Sequence, residues 1–136
     1  MKNIKDQIKI LTAMNTQIFV FGSNLAGRHG KGAALYAAQN HGAIYGLGYG
    51  LQGRSFAIPT KDQYLRTLPV TTIQKYVEEF KSFAKNFPNF TFNVTRIGCG
   101  LAGYKDEEIA PLFKNCPPNV NLPESFKQIL GGWPRG

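Results

Sequence analysis

Two glycine-rich segments hold the residues of this chain best suited to chemistry. The first, Gly22-Ser23-Asn24-Leu25-Ala26-Gly27-Arg28-His29-Gly30-Lys31-Gly32, follows the apolar run Ile18-Phe19-Val20-Phe21 and leads into Ala33-Ala34-Leu35-Tyr36-Ala37-Ala38. Glycine admits positive φ and close backbone approach, and a helix N-terminus offers unpaired N–H groups with partial positive charge. A strand, a glycine loop and a helix start in that order can therefore cradle a phosphate or diphosphate. The second, Gly98-Cys99-Gly100-Leu101-Ala102-Gly103, follows the strand-like run Phe92-Asn93-Val94-Thr95-Arg96-Ile97. Two cradles at the ends of two strands point to one nucleotide-sized cleft. Glycines also make ordinary turns, and the first segment has neither the Gly-Lys-Ser/Thr ending of a P-loop nor the spacing of a dinucleotide fingerprint. The weight comes from the pairing of the two segments, and from Asn24, Arg28, His29 and Lys31 inside one loop.

Other reactive side chains are few. Lys61, in Ile58-Pro59-Thr60-Lys61-Asp62, falls just after a strand end. There it can neutralise phosphate or, when desolvated, act as a nucleophile. A solvated loop lysine paired with Asp62 is the alternative from spacing alone. Cys99 has no base identifiable beside it, so thiol catalysis has little support. His29 and His41 are the only histidines, Cys99 and Cys116 the only cysteines, and their spacing builds no metal site. No metal and no cofactor are expected. Tyr45, Tyr49 and Tyr104 can stack on a base or pack a core.

The elements that must position these groups alternate. Gln17 to Phe21 reads as a strand stopped by Gly22, and Lys31 to Asn40 as a buried helix of small residues and Leu35, ended by His41-Gly42. Ile8 to Leu11 is either a short edge strand or a last helical turn. Tyr45 to Gly53, glycine at nearly every second place, reads as a loop or hairpin with aromatic tips. Ser55 to Ile58 reads as a buried strand ended by Pro59, and Asp62 to Leu68 as a connecting loop. The clearest helix places Val70, Ile73, Val77, Phe80, Ala84 and Phe87 at spacings of three and four, and Pro88-Asn89 stops it. Phe90 to Ile97 reads as a strand. Lys105 to Asn115 reads as a helix with Asp106, Glu107 and Glu108 in its first turn, where the helix dipole favours them. Asn119 to Leu122 reads as a last strand, Pro123 to Leu130 as a closing helix, and Gly131 to Gly136 as a loosely held tail. The pattern predicts one domain over residues 1–136, an α/β/α sandwich around a mixed, largely parallel sheet.

Composition sets the outer limits. An apolar fraction of 43% over 136 residues suits one folded core. Sixteen Lys and Arg against eight Asp and Glu give a net charge of +8, which attracts anions: free nucleotides, nucleic acid or acidic surfaces. The basic residues are scattered along the sequence. The N-terminus lacks the apolar run of a signal peptide, and no window approaches the length of a membrane span. A cytoplasmic protein with no membrane partner is expected.

The segments Gly22 to Ala34, Ile58 to Lys61 and Arg96 to Tyr104 resemble the macrodomain superfamily. The likeness is closest to the branch of terminal ADP-ribose protein glycohydrolases, ADP-ribose 1″-phosphate phosphatases and related small bacterial or bacteriophage proteins. The matching segments span most of the chain from Ile18 to Phe113, and their order and spacing carry the likeness. The resemblance implies a macrodomain-like sandwich that binds ADP-ribose or a related nucleotide. Asn24 would contact the distal ribose. Gly30, Lys31, Gly32 and Ala33 would line the diphosphate, Gly98, Gly100, Leu101, Ala102, Gly103 and Tyr104 would form the second wall, and Gly22, Ser23 and Cys99 would also contact the ligand. Lys61 matches the branch's nucleophilic lysine. The branch places a catalytic aspartate directly after the Gly-Cys-Gly-Leu segment, where this chain has Ala102. Asp106 is the nearest substitute, although at a helix start it also reads as a cap, and His29 is a candidate proton carrier. Three functions stay open: hydrolysis of an ADP-ribosyl bond or terminal phosphate, non-catalytic reading or sequestration of ADP-ribose, free or on a modified protein, and nucleic-acid binding.

Overall fold

The strand read from Gln17 to Phe21 does not stop at Gly22. In the computed structural model, which describes residues 4–5 and 16–131, β1 runs from Thr16 to Asn24. It is the central strand of a five-stranded sheet, paired in parallel with a neighbour on each side. The β4 ladder pairs Thr16 to Val20, while the β3 ladder runs on through Gly22, opposite Ile58, to Asn24, and that pairing carries the strand through a residue that local preference would use as a breaker.

The remaining elements follow in alternation. Helix α1 spans Gly32–Asn40, β2 Gly50–Gln52, β3 Ser55–Lys61, α2 Val70–Asn86 and β4 Phe90–Val94. Helix α3, Asp106–Ile109, continues into a 3-10 turn, Ala110–Phe113, and β5, Val120–Asn121, precedes α4, Glu124–Ile129. The strand order is β2-β3-β1-β4-β5, and only β2 runs antiparallel to its neighbour. The protein is α/β with a mixed, largely parallel sheet. Ile8 to Leu11 and residues 132–136 lie outside the described residues.

Alternation along β1 sorts the core. Ile18 and Val20 join the larger cluster, while Phe19 and Phe21 belong to a smaller one with Ala34, Ala37 and Ala57. Successive strand residues face opposite sides, so helices cover both faces. On the larger side α2 buries Ile73, Val77, Phe80 and Ala84 completely, each large side chain contributing about 2 kcal/mol. Phe80 packs edge-on against Phe56 and Phe92 at 5.2 and 5.4 Å. On the other side α1 approaches β1 through Ala34 and Ala37. Leu35, read as buried, is 36% exposed, because only the alanine stripe fits against the sheet.

Three further boundaries differ from the sequence reading. β3 continues through Pro59 because the ladder slips there: Ser23 faces Pro59 but Asn24 faces Lys61, leaving Thr60 as the extra residue of a bulge. A bulge is where a strand tolerates proline. β4 ends at Val94, not Ile97: the N–H and hydroxyl of Thr95 still donate to the Val20 carbonyl, at 3.0 and 2.9 Å, but the Ile97 N–H then turns back to the Thr95 carbonyl at 2.7 Å. The helix read from Lys105 to Asn115 tightens after Ile109 into the 3-10 turn that contains Pro111, which lacks the N–H an α-helix needs. The Tyr45 to Gly53 segment is a loop that ends in β2, turned into β3 at Gly53 with φ +60°.

Candidate functional site

A cleft of about 710 Å3 opens beyond the carboxyl ends of β1, β3 and β4. Gly22, Ser23, Asn24, Gly30, Lys31, Gly32 and Ala33 form one wall and Gly98, Cys99, Gly100, Leu101 and Ala102 the other, with Lys61 between them. The two glycine loops and the lysine, separated in sequence, share one cavity.

The first wall is held from behind. Asn24 is 8% exposed, and its side-chain amide accepts from the Arg28 N–H at 2.9 Å and donates to the Arg28 carbonyl at 3.0 Å. It pins the loop and presents Arg28. His29, 1% exposed, does not line the cleft; its Nε2 faces the Leu47 carbonyl at 3.0 Å and Gln52 Oε1 at 3.2 Å. Gln52 Oε1 also accepts from the Ile44 N–H at 2.8 Å. With two acceptors before it, Nε2 carries the proton in the neutral ring, and Nδ1 is buried without a partner among the described residues. His29 thus fastens the loop to the segment behind it. The Ser23 hydroxyl also donates to the Gly48 carbonyl. At Gly48 a Cβ would fall 2.1 Å from the Asn24 carbonyl oxygen, so the rear segment can cross here only as glycine.

Beyond this loop, α1 begins with its N-terminus at the cleft. Lys31 takes the N-cap position in extended backbone and makes no side-chain cap hydrogen bond. Gly32, Ala33 and Ala34, the first helical residues, all line the cavity. Their amide groups lie at the helix end that attracts anions. Gly30 and Gly100 face open space, and a Cβ added at either would meet nothing within 4 Å.

The second wall is braced by residues expected to touch a ligand. The Tyr104 hydroxyl donates to the Leu68 carbonyl at 2.6 Å and its N–H to the Gly98 carbonyl at 2.8 Å. Tyr104 and Gly103 lie outside the lining. Leu101, 65% exposed, reaches across to within 3.5 Å of a Cβ placed at Gly32, so the two walls meet there. Cys99 is half-buried and hydrogen-bonds weakly to the Ile97 carbonyl at 3.6 Å. Burial, then the Asp106 carboxylate, pushes its thiol up to about 12, which keeps it protonated and poorly nucleophilic.

Asp106 also lies outside the lining. Arg96 grips its carboxylate with Nε at 2.9 Å and a terminal nitrogen at 3.0 Å, and this pair holds the carboxyl below the usual carboxylate value. It serves neither as the helix cap, which Lys105 and Glu108 supply, nor as an acid facing the cavity. Lys61 does not pair with Asp62; that carboxylate bonds Arg66 at 3.1 Å and the N–H groups of Tyr64 and Arg66. The Lys61 ammonium has no ion-pair partner among the described residues.

Arg28, Lys31, Lys61 and Arg96 line the cleft, and no carboxylate does so among the described residues. Basic residues scattered in sequence converge in space. Sequence reasoning missed Ala34, Thr60, Leu65, Thr95, Arg96 and Ile97 as lining residues. Only Arg96 had a legible signal, a cation two residues before the first glycine of a glycine loop. Tyr45, noted for stacking, does line the cavity.

These features define an α/β protein whose candidate site lies beyond the carboxyl ends of its parallel strands, where open sheets place ligands. Compared with models of known families, with curated proteins and with solved structures, the chain matches none. No helix among the described residues is long and apolar enough to cross a membrane.

Proposed function

We propose that the cleft binds ADP-ribose or a related ADP-ribose-containing nucleotide, with its diphosphate between the two glycine loops. The observation that carries this reading is the uncapped N-terminus of α1 in a cavity lined by Arg28, Lys31 and Lys61, none of them in an ion pair among the described residues, beside the Asp106-paired Arg96 and with no lining carboxylate. Backbone N–H groups and basic side chains recognise phosphate oxygens together. A cavity of about 710 Å3 suits a ligand of nucleotide size rather than a lone phosphate. The macrodomain resemblance of the same loops, and of Lys61, supplies the identity of the nucleotide and the finer α/β/α assignment.

Binding without turnover is the favoured form. Ala102 stands where the glycohydrolase branch has its acid, and Asp106 is held by Arg96 outside the lining. Hydrolysis of an ADP-ribosyl bond or a terminal phosphate remains the alternative, with Lys61 as the group that attacks or neutralises charge. Calorimetry with ADP-ribose, its 1″-phosphate and AMP, followed by product analysis, tests both. Heat without product supports a reader or sponge; product lost in Lys61→Ala supports the enzyme; no heat with any of the three sinks the nucleotide reading. Salt-sensitive binding to RNA or DNA that ADP-ribose does not displace would favour a nucleic-acid partner instead.

A further inference from the structure

Leu65 stands in the left-handed region with φ +65°, and the only other non-glycine residue there among the described ones is Asn115, a type that tolerates it. Leucine has no local reason for this conformation, and the turn around it is built to impose it. Asp62 Oδ1 accepts from the N–H groups of Tyr64 and Arg66 at 2.8 and 2.9 Å, and the Asp62 N–H donates to the Arg66 carbonyl at 2.8 Å. The Leu65 N–H itself donates to the Asp62 carbonyl at 3.1 Å. Beyond the turn, the Thr67 hydroxyl donates to the Ala102 carbonyl at 3.0 Å, which ties this strap to the second wall. The product of this bracing is a large apolar side chain that lines the cleft, 42% exposed, four residues after Lys61. Strain maintained beside a cavity points to a role for the side chain it aims.

We propose that Leu65 is a specificity residue: it packs on the carbon face of the sugar that lies at Lys61, so that the cleft prefers nucleotides extended by a second ribose over those that end at the diphosphate. This inference rests on the ADP-ribose reading and deepens it. The basic side chains serve any diphosphate, whereas an apolar wall rewards only a ligand with carbon surface at that point. The bridge between Lys61 and Thr67 seats the strap at the end of β3, and the Thr67 hydroxyl joins it to Ala102 of the second wall.

The test compares ADP-ribose with ADP by calorimetry in the wild type, Leu65→Asn, Leu65→Gly and Leu65→Met, with melting temperatures measured alongside. Asn and Gly both suit positive φ, so melting temperature is expected to hold or to rise by up to about 3 °C. Affinity for ADP-ribose should fall about five- to ten-fold in both variants, affinity for ADP should stay unchanged, and Leu65→Met should restore the preference. Equal losses for the two ligands, no loss for either, or a lower melting temperature in both Asn and Gly variants would overturn the role of Leu65 while leaving the nucleotide reading intact. A wild type that binds neither ligand overturns both.

Discussion

The guanidinium of Arg96 and the carboxylate of Asp106 form a two-point pair, at 2.9 and 3.0 Å, that joins the start of the second glycine loop to the first turn of α3. Arg96 lines the cleft and Asp106 does not. The acid that stood nearest to a catalytic position thus steadies a cation of the binding wall.

That pair gives stability a defined pH dependence. The folded carboxyl titrates below its ordinary value of 3.8, so folding favours the ionised form. The contribution is fully present above 3.8 and disappears as pH falls through the lower folded value. The difference in melting temperature between wild type and Asp106→Asn should therefore be constant from neutral pH to mildly acidic conditions and close up only below 3.8. A difference that instead changes near neutrality would assign the effect to another group.

Glycines of the first loop and its backing should divide into two classes. Gly48→Ala places a Cβ 2.1 Å from the Asn24 carbonyl oxygen, which only backbone movement relieves. It should cost about 3 kcal/mol or more in denaturant unfolding. At Gly30, with open space around it, alanine should leave stability within about 0.5 kcal/mol. Its ADP-ribose affinity should nevertheless drop, because the methyl group occupies the ligand's side of the loop.

Lys61→Met keeps much of the stem and removes the charge. Loss of one charge-assisted contact to the ligand predicts roughly ten-fold weaker binding of ADP-ribose. The salt dependence of binding should flatten at the same time, as titrations at low and high ionic strength would reveal. Unchanged affinity would remove Lys61 from the binding machinery.

Cys99 should be slow to alkylate despite lining the cleft. With its thiol pushed up to about 12, the thiolate fraction near neutral pH is far below that of an ordinary cysteine. Iodoacetamide at pH 8 should label it at least about ten-fold more slowly than free cysteine. Cys99→Ala should bind ADP-ribose as the wild type does.

Local pattern determined a good part of this protein. The spacing of Ile73, Val77, Phe80 and Ala84 fixes which side of α2 is buried, since helical periodicity needs no distant partner to be read. The order strand, glycine loop, helix located both walls of the cleft, and their convergence with Lys61 was legible because parallel strands deliver such loops to one end of a sheet. Tertiary structure decided the rest. Whether Gly22 ends a strand depends on the β3 ladder, which pairs it with Ile58, and whether Pro59 ends one depends on a bulge set by the partner's register. The roles of Asn24, His29, Tyr104 and Asp106 turn on acceptors and cations from four to 36 residues away in sequence: Arg28, Leu47, Leu68 and Arg96. Residue type says that such groups can bind or transfer a proton; only folded distances say which partners already occupy them. The same holds for the cations, scattered along the chain and gathered at one cleft by strand order. The αL turn at Leu65 has no sequence signature, because a conformation that leucine disfavours exists only where the surrounding hydrogen bonds impose it.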